Sequence, residues 1–404
     1  MNTLDVSLRF APTLEYKVGT VGLAGRDFVF QYAESFLRLN LSLSPLRLPL
    51  HPGLHVYDGD GHMETFGVFD DAMPDSWGRR LIDKHFQKRI GRRPGILERL
   101  AFVGERAMGA LVFRPPEEIE NGPVPDLGAM ALEAWDFDSE KTEKDLPELR
   151  KMAGTSGGAR PKILVGIPEA KKARGTILAG DNDLPPGYAH WIVKFNSREE
   201  GADAGPLEFA YAEMAAIAGA EMPEHRLFET PEGRFFGVRR FDRKAGGRRL
   251  HLHSAAGLLH ADYRTAGNEY EVLFRLTEAL TRDYAQKKEL FRRACLNVLA
   301  CNRDDHLKNF AFLMDEKGVW RLAPFYDFTF HTGPNGWQTL SVAGEGENPG
   351  KEHLVKLAKQ VDLRPRDARE IFDQTRHAIG SFNQLACAAG VSKTTLARVN
   401  ARLK

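Results

Sequence analysis

Short apolar runs separated by Gly, Pro and Ser fill the first 58 positions. "VSLRF" and "DFVFQY" are typical of them. The rhythm predicts strands and hairpins, because successive side chains of a strand point to opposite faces. At Val68–Arg93 the pattern changes to "VFDDAMPDSWGRRLIDKHFQKRIGRR". It predicts a loop running into a helix, with Pro74 in an early turn, Asp75 or Ser76 as cap and Leu81 opening an apolar face. Residues 115–147 mix Pro, Gly and acidic positions and are expected to be a linker or surface excursion between domains.

Beyond that point the order of elements carries more information. A Gly-rich turn, Gly154 to Lys162, leads into the strand pattern "ILVGI", and a second strand, "HWIVKFN", follows. "LEFAYAEMAAIAG" has small and apolar residues at helical spacing, with Gly219 as its stop. "EHRLFET" and "GRFFGVRRFDR" are two further strands. From about Ala255 the pattern is helical, interrupted by "FAFLMD" and "VWRLAPF", which predict a hairpin around Lys317–Gly318.

Composition alters this picture little. The 404 residues are 42% apolar and 27% charged, with a formal charge of +1, so bulk charge argues neither for nor against nucleic acid. Three scattered cysteines (Cys295, Cys301, Cys387) suit neither a disulfide framework nor a four-cysteine zinc site. No run approaches the ~18 apolar residues that span a bilayer, and "MNTLDVSLRF" has no signal-peptide core. A soluble, cytoplasmic protein without a membrane role is the expectation.

The candidate chemistry begins at "AGTSGGARPK". Backbone N–H groups of a glycine turn can cradle phosphate oxygens, although neither the P-loop spacing nor the dinucleotide fingerprint is present. Lys194 lies in the apolar strand "HWIVKF", where an ammonium needs a partner or an open site. In kinases such a lysine binds nucleotide phosphates and pairs with a carboxylate of the following helix. That helix offers Glu208 and Glu213, of which Glu208, near its start, is favoured. In "NRDDHLKN", Asp304 precedes Asn309 by five positions, the offset of the kinase catalytic loop. "LAPFYDFTF" then places Asp327 where a second metal carboxylate belongs, and an amide oxygen plus a carboxylate suit Mg²⁺.

With these motifs in this order, nearly the whole chain resembles the HipA family, the serine/threonine kinase toxins of type II toxin–antitoxin modules. "FDDAMPDSWGRRLI" resembles the family's N-terminal segment and "GGARPK" its phosphate loop. "WIVKF" resembles the nucleotide-lysine strand, "VRRFDR" the hinge, "NRDDHLKN" the catalytic loop and "APFYDF" the magnesium segment. The resemblance implies an α+β, two-lobed protein-kinase-like fold with a small β-rich N-terminal subdomain and a mostly helical C-terminal lobe. It implies Asp304 as catalytic base, and Asn309 and Asp327 on Mg²⁺. Lys194 would lie on the ATP phosphates, and Gly157, Gly158, Ala159, Arg160, Pro161 and Lys162 would wrap the nucleotide. Backbone of Arg239, Arg240 and Phe241 would hold adenine. His306, Lys308 and Tyr326 would shape the loop and the nucleotide site, Lys308 neutralising phosphate charge. The hinge commonly carries an acidic residue where this chain has Arg239. Family members also phosphorylate a serine beside the phosphate loop, a position that falls here on Thr155 or Ser156. The implied partners are a protein substrate, an aminoacyl-tRNA synthetase among the candidates, and a HipB-like antitoxin through which DNA is contacted.

The resulting organisation is an N-terminal subdomain over 1–115, a linker over 116–147, a strand-rich nucleotide lobe over 148–245 and a helical catalytic lobe over 246–404. Two other functions are compatible with parts of the chain. One is a catalytically weak nucleotide-binding module that controls assembly with a DNA-binding antitoxin. The other is a DNA-binding regulator using the basic run Lys84–Arg93 and the helix-turn-helix-like tail "AAGVSKTTLARVNARLK". "HLHS", His251 to Ser254, lacks the further ligands of a zinc site. A hydrolase assembled from Ser254, His306 and Asp262 lacks a nucleophile elbow.

Overall fold

The N-terminal strands β1 (Thr3–Ala11), β2 (Leu14–Ala24), β3 (Asp27–Tyr32), β4 (Leu54–Val56) and β5 (Leu111–Arg114) form an antiparallel sheet in the order β4-β3-β2-β1-β5. Leu4, Val6, Leu8 and Phe10 alternate into the core from β1, the period-two pattern of a half-buried strand. The structure is a computed structural model that describes residues 2–59, 62–74, 76–117, 126–138, 160–169, 177–180, 183–197, 200–264 and 267–404.

A second antiparallel sheet is built from β6 (Lys162–Pro168), β7 (Leu178–Ala179), β8 (Tyr188–Lys194), β9 (His225–Thr230) and β10 (Gly233–Arg239), in the order β7-β6-β8-β10-β9. Helix Ala204–Ile217 connects β8 to β9 and packs on β9 and β10, ending at Gly219 with φ of 80°.

The stretch expected to be a linker folds in part. Leu127–Asp138 is a helix, and Leu127, Met130, Ala131, Ala134 and Phe137 join one buried cluster with Ile163, Val165, Trp191 and Val193 of the second sheet. Their spacing is that of one helix face. The acidic and Pro/Gly-rich flanks hid this short apolar period. Trp77 and Leu81, from helix Ser76–Ile90, enter the same cluster, so an N-terminal element also covers this sheet.

Past a short ribbon, β11 (Arg243–Lys244) and β12 (Arg248–Arg249), the chain forms the three-stranded sheet β13 (His251–Ser254), β14 (Ala311–Met314) and β15 (Trp320–Leu322). The β14–β15 turn contains Gly318 at φ of 80°, where the sequence predicts a hairpin. Helices Tyr270–Thr281, Tyr284–Leu299, Lys351–Gln360, Pro365–Gly380, Phe382–Ala389 and Lys393–Asn400 complete this lobe. One buried apolar cluster runs from Leu4 through Tyr211 and Leu290 to Val399, continuous across the subdomain boundaries. No helix among the described residues is long and apolar enough to cross a membrane.

Candidate active site

Residues of the second sheet and of β13 line one cleft, among them Ile192, Lys194, Val238, Leu252 and Ser254. Lys194, the last residue of β8, reaches it from a strand of apolar neighbours. Its Nζ lies 2.6 Å from Glu208 Oε1 and 2.5 Å from Asp327 Oδ1. Burial works against the ammonium, but the two carboxylates outweigh it and raise the Lys194 pKa. Asp327 is held well below the usual carboxylate range for the reciprocal reason. Burial pushes it up, and Lys194 and then Lys162 more than offset that. Glu208 is the helix carboxylate on the lysine, whereas Glu213 binds His225 Nε2 at 2.9 Å.

Lys162 stands opposite Lys194 in the β6–β8 register and lines the same cleft. Arg160 does not extend toward the cleft centre. It pairs with Glu208 Oε2 at 2.5 Å and with Glu200 at 2.9 Å, so two cations share Glu208. Pro161 is buried, and its carbonyl accepts the Phe195 amide at 2.8 Å. Thr155, Ser156, Gly157, Gly158 and Ala159 lie outside the described residues.

The opposite wall is the turn between helix Tyr284–Leu299 and β14. Asp304 is about half exposed (48%), and burial of its remainder pushes its pKa up, with His306 and His331 opposing. Asn309 Nδ2 donates to the Asp304 carbonyl at 2.8 Å, which anchors the amide and leaves Oδ1 as its acceptor. His306 Nε2 lies 4.0 Å from Asp304, its ring 4.9 Å from that of Tyr263, and burial lowers its pKa. Tyr326 donates its hydroxyl to the Lys308 carbonyl at 2.9 Å and sits beside Phe241 in the cleft wall.

The donor chemistry fits a magnesium ion. Asp327 supplies an ionised carboxylate and Asn309 a fixed amide oxygen, both hard oxygens. Among the described residues no group of three or more His, Cys, Asp or Glu is positioned to hold a metal. Two hard oxygen donors suit an ion that takes its other ligands from phosphate and water.

The hinge departs from the expectation in part. The Arg239 amide donates to the Glu224 carbonyl at 2.7 Å and the Arg240 amide to the His190 carbonyl at 2.8 Å, so neither N–H is open to a base. The Arg239 guanidinium pairs with Glu169 and Glu224. That of Arg240 binds buried Asp242, with 2.7 Å for the shorter contact. Phe241 lines the cleft.

Residues that the sequence did not single out complete the wall. Met108, from the N-terminal subdomain, packs with Leu164, Ile192, Val238 and Leu252. Its turn is fixed by Asp242, which accepts the Gly109 amide at 2.8 Å, and by Arg243, which donates to the Ala107 carbonyl at 2.8 Å. Asp71, also N-terminal, lines the cleft with Ser254. The other sites weighed on sequence do not assemble. His251 binds the Leu43 carbonyl and His253 binds Asp71, while Ser254, His306 and Asp262 each have separate partners.

Comparison with known proteins bears on this arrangement. The profile of the HipA-like C-terminal domain matches residues 154–381, and that of the HipA N-terminal domain residues 13–114. Y4dM of Sinorhizobium fredii, a candidate kinase by its name, is 28% identical over 214 residues, 48% of this chain and 50% of that protein. A candidate kinase of Haemophilus influenzae is 30% identical over 131 residues, 30% of this chain and 36% of its own length. The chain thus spans half or less of these two relatives. A chain of the Shewanella oneidensis complex of HipA, HipB and operator DNA aligns over 99% of this chain and 94% of its own, with a TM-score of 0.70 at 15% identity. At that identity the likeness concerns the fold.

Proposed function

The chain belongs to the HipA family, and from that premise we propose that it is an ATP- and Mg²⁺-dependent serine/threonine protein kinase, the toxin of a type II toxin–antitoxin module. The observation that carries this reading is Lys194, held between Glu208 and Asp327 in a cleft that it lines together with Asn309, whose amide is anchored on the Asp304 carbonyl. Phosphoryl transfer asks for positioning and charge stabilisation more than covalent chemistry.

In this reading Lys194 and Lys162 draw the ATP phosphates into the cleft. Asp304, the more exposed acid of its turn, accepts the proton of an incoming Ser or Thr hydroxyl. Asn309 and Asp327 would hold Mg²⁺, which would supply neutralisation of charge on the phosphates. Phe241, Ile192, Val238 and Met108 provide the apolar walls for the base. A HipB-like antitoxin binds the chain and supplies the DNA contact, and the module acts in the cytoplasm. An aminoacyl-tRNA synthetase is the proposed class of target, whose phosphorylation would halt translation.

The test is Asp304→Asn. ATP binding and thermal stability are expected to stay near wild type, while phosphoryl transfer and growth arrest disappear. Phosphoproteomes of cells expressing the two forms would name the target. An Asp304→Asn protein that still phosphorylates substrate would sink the assignment.

A further inference from the structure

Asp71 belongs to the N-terminal subdomain, yet its contacts lie across the boundary. Its Oδ2 accepts the Ser254 amide and His253 Nδ1, both at 2.7 Å, and its Oδ1 accepts the Ser254 hydroxyl at 2.7 Å. His253 Nε2 lies 2.9 Å from Ser44 Oγ, so this imidazole is gripped from both sides by N-terminal residues. Ser44, His253 and Asp71 follow the order of a hydrolase triad, but Ser44 is only 1% exposed and no substrate carbonyl can reach it.

The grip continues into the catalytic turn. Ser254 Oγ accepts the Gly257 amide at 3.0 Å and caps helix Ala255–Leu259. The next amide, Ala255, donates to the Phe310 carbonyl at 2.7 Å, and Ser254 pairs with Ala311 in the β13–β14 ladder. Phe310 directly follows Asn309. Neighbouring Asp70 lies 3.5 Å from Lys308 Nζ and 3.5 Å from Arg79, while Lys308 also stands 5.3 Å over the Tyr263 ring. The N-terminal acidic pair thus meets the catalytic turn directly at Lys308 and indirectly at its exit.

We propose that Asp71, assisted by Asp70, is a positioning residue for the catalytic turn, so that the docked N-terminal subdomain is a condition of phosphoryl transfer. The claim rests on the kinase reading for its activity arm only. Burial alone would raise the Asp71 pKa, and the His253 hydrogen bond and charge bring it below the ordinary value. A buried ionic cluster is an inefficient way to stabilise a boundary, since apolar residues of similar volume often do as well. What it provides is fixed direction, and misplacing reacting groups by about 1 Å can cost on the order of a hundredfold in rate.

The experiment compares wild type with Asp71→Ala and Asp71→Asn, well below each protein's melting temperature. Steady-state phosphoryl transfer is measured together with amide hydrogen exchange of the 305–312 segment. With Asp71→Ala, kcat is expected to fall about tenfold or more, KM for ATP to change little, and exchange in that segment to accelerate. Asp71→Asn keeps an oxygen for the Ser254 amide and is expected to recover most of both. A lower melting temperature with unchanged kcat and unchanged exchange would overturn the proposal. If wild type transfers no phosphate, the exchange arm still decides. Faster exchange confined to the segment upholds the positioning role while the kinase reading alone falls, and unchanged exchange overturns it.

Discussion

The Asp305 carboxylate is buried, accepting the Tyr270 hydroxyl at 2.5 Å and the amides of Thr339 and Leu340 at 3.2 and 3.3 Å. It therefore ties its turn to the 339–340 segment, while its neighbour Asp304 remains about half exposed. Burial pushes the Asp305 pKa up to about 6, its hydrogen bonds opposing. In the interval between the ordinary value of 3.8 and about 6 the native state binds more protons than the unfolded chain. This group's contribution to stability accordingly declines as pH rises through that interval. Asp305→Asn should remove that component of the melting-temperature profile and retain far more activity than Asp304→Asn. Asp305→Ala strands several donors and should cost on the order of 1–3 kcal/mol in urea denaturation. For Asp304 the raised pKa sets the kinetic sign. As the base of the proposed kinase Asp304 would work ionised, so kcat/KM is expected to fall on acidification, with its acid limb shifted upward by that burial. The D-x-x-x-x-N spacing and the strand lysine were legible in sequence because they are local patterns. The role of Asp305 was not, since its partners lie 34 and 35 residues away.

Between elements, glycine packs against glycine at the subdomain boundary. A Cβ on Gly67 would stand 2.1 Å from the Gly257 carbonyl oxygen and 2.5 Å from its Cα. Backbone cannot yield as a side chain can, so Gly67→Ala must separate segment Gly67–Asp70 from helix Ala255–Leu259. A loss of about 1–3 kcal/mol is expected, with phosphoryl transfer reduced as Asp71 is displaced. Denaturant midpoints and activity measured together would check this, and a neutral Gly67→Ala would show that the contact is not tight in solution. Helix Leu127–Asp138 offers a second test. Met130 is fully buried, and Met130→Ala should cost about 2–5 kcal/mol, whereas a solvated linker would register within about 0.5 kcal/mol. Most strands of the two large sheets and the β14–β15 hairpin followed from alternation and turn residues, whereas the short strands Leu111–Arg114 and Leu178–Ala179 did not. Nor did this helix, because a short amphipathic period between acidic, proline-rich flanks resembles a connector.

Across the whole molecule, several of the groups that suggested nucleic acid have partners within the chain. In the basic run, Arg89 pairs with Glu117, Arg92 pairs with Glu98 at 2.6 Å, and Lys84 stands 5.2 Å over the Phe137 ring. The helix-turn-helix-like tail is tied to the body. Arg234 donates to the carbonyls of Ala389 and Gly390 at 2.6 and 2.8 Å, and Ser392 donates to Asp203 at 2.5 Å. The isolated chain is therefore expected not to shift DNA at physiological salt, with retardation appearing only when a HipB-like protein is added. Those tertiary partners are what a linear reading of charge could not supply. The glycine contact and the acidic pair carry a consequence for descent. Asp71 needs donors at positions 253 and 254, Gly67 needs the absence of a side chain at 257, and Asp70 needs a cation at 308. Genes that exchanged their N-terminal and C-terminal halves would separate these matched positions. Recombinants that survive should therefore carry them as a linked set, and chimeras between distant relatives should fail at this seam before they fail anywhere else.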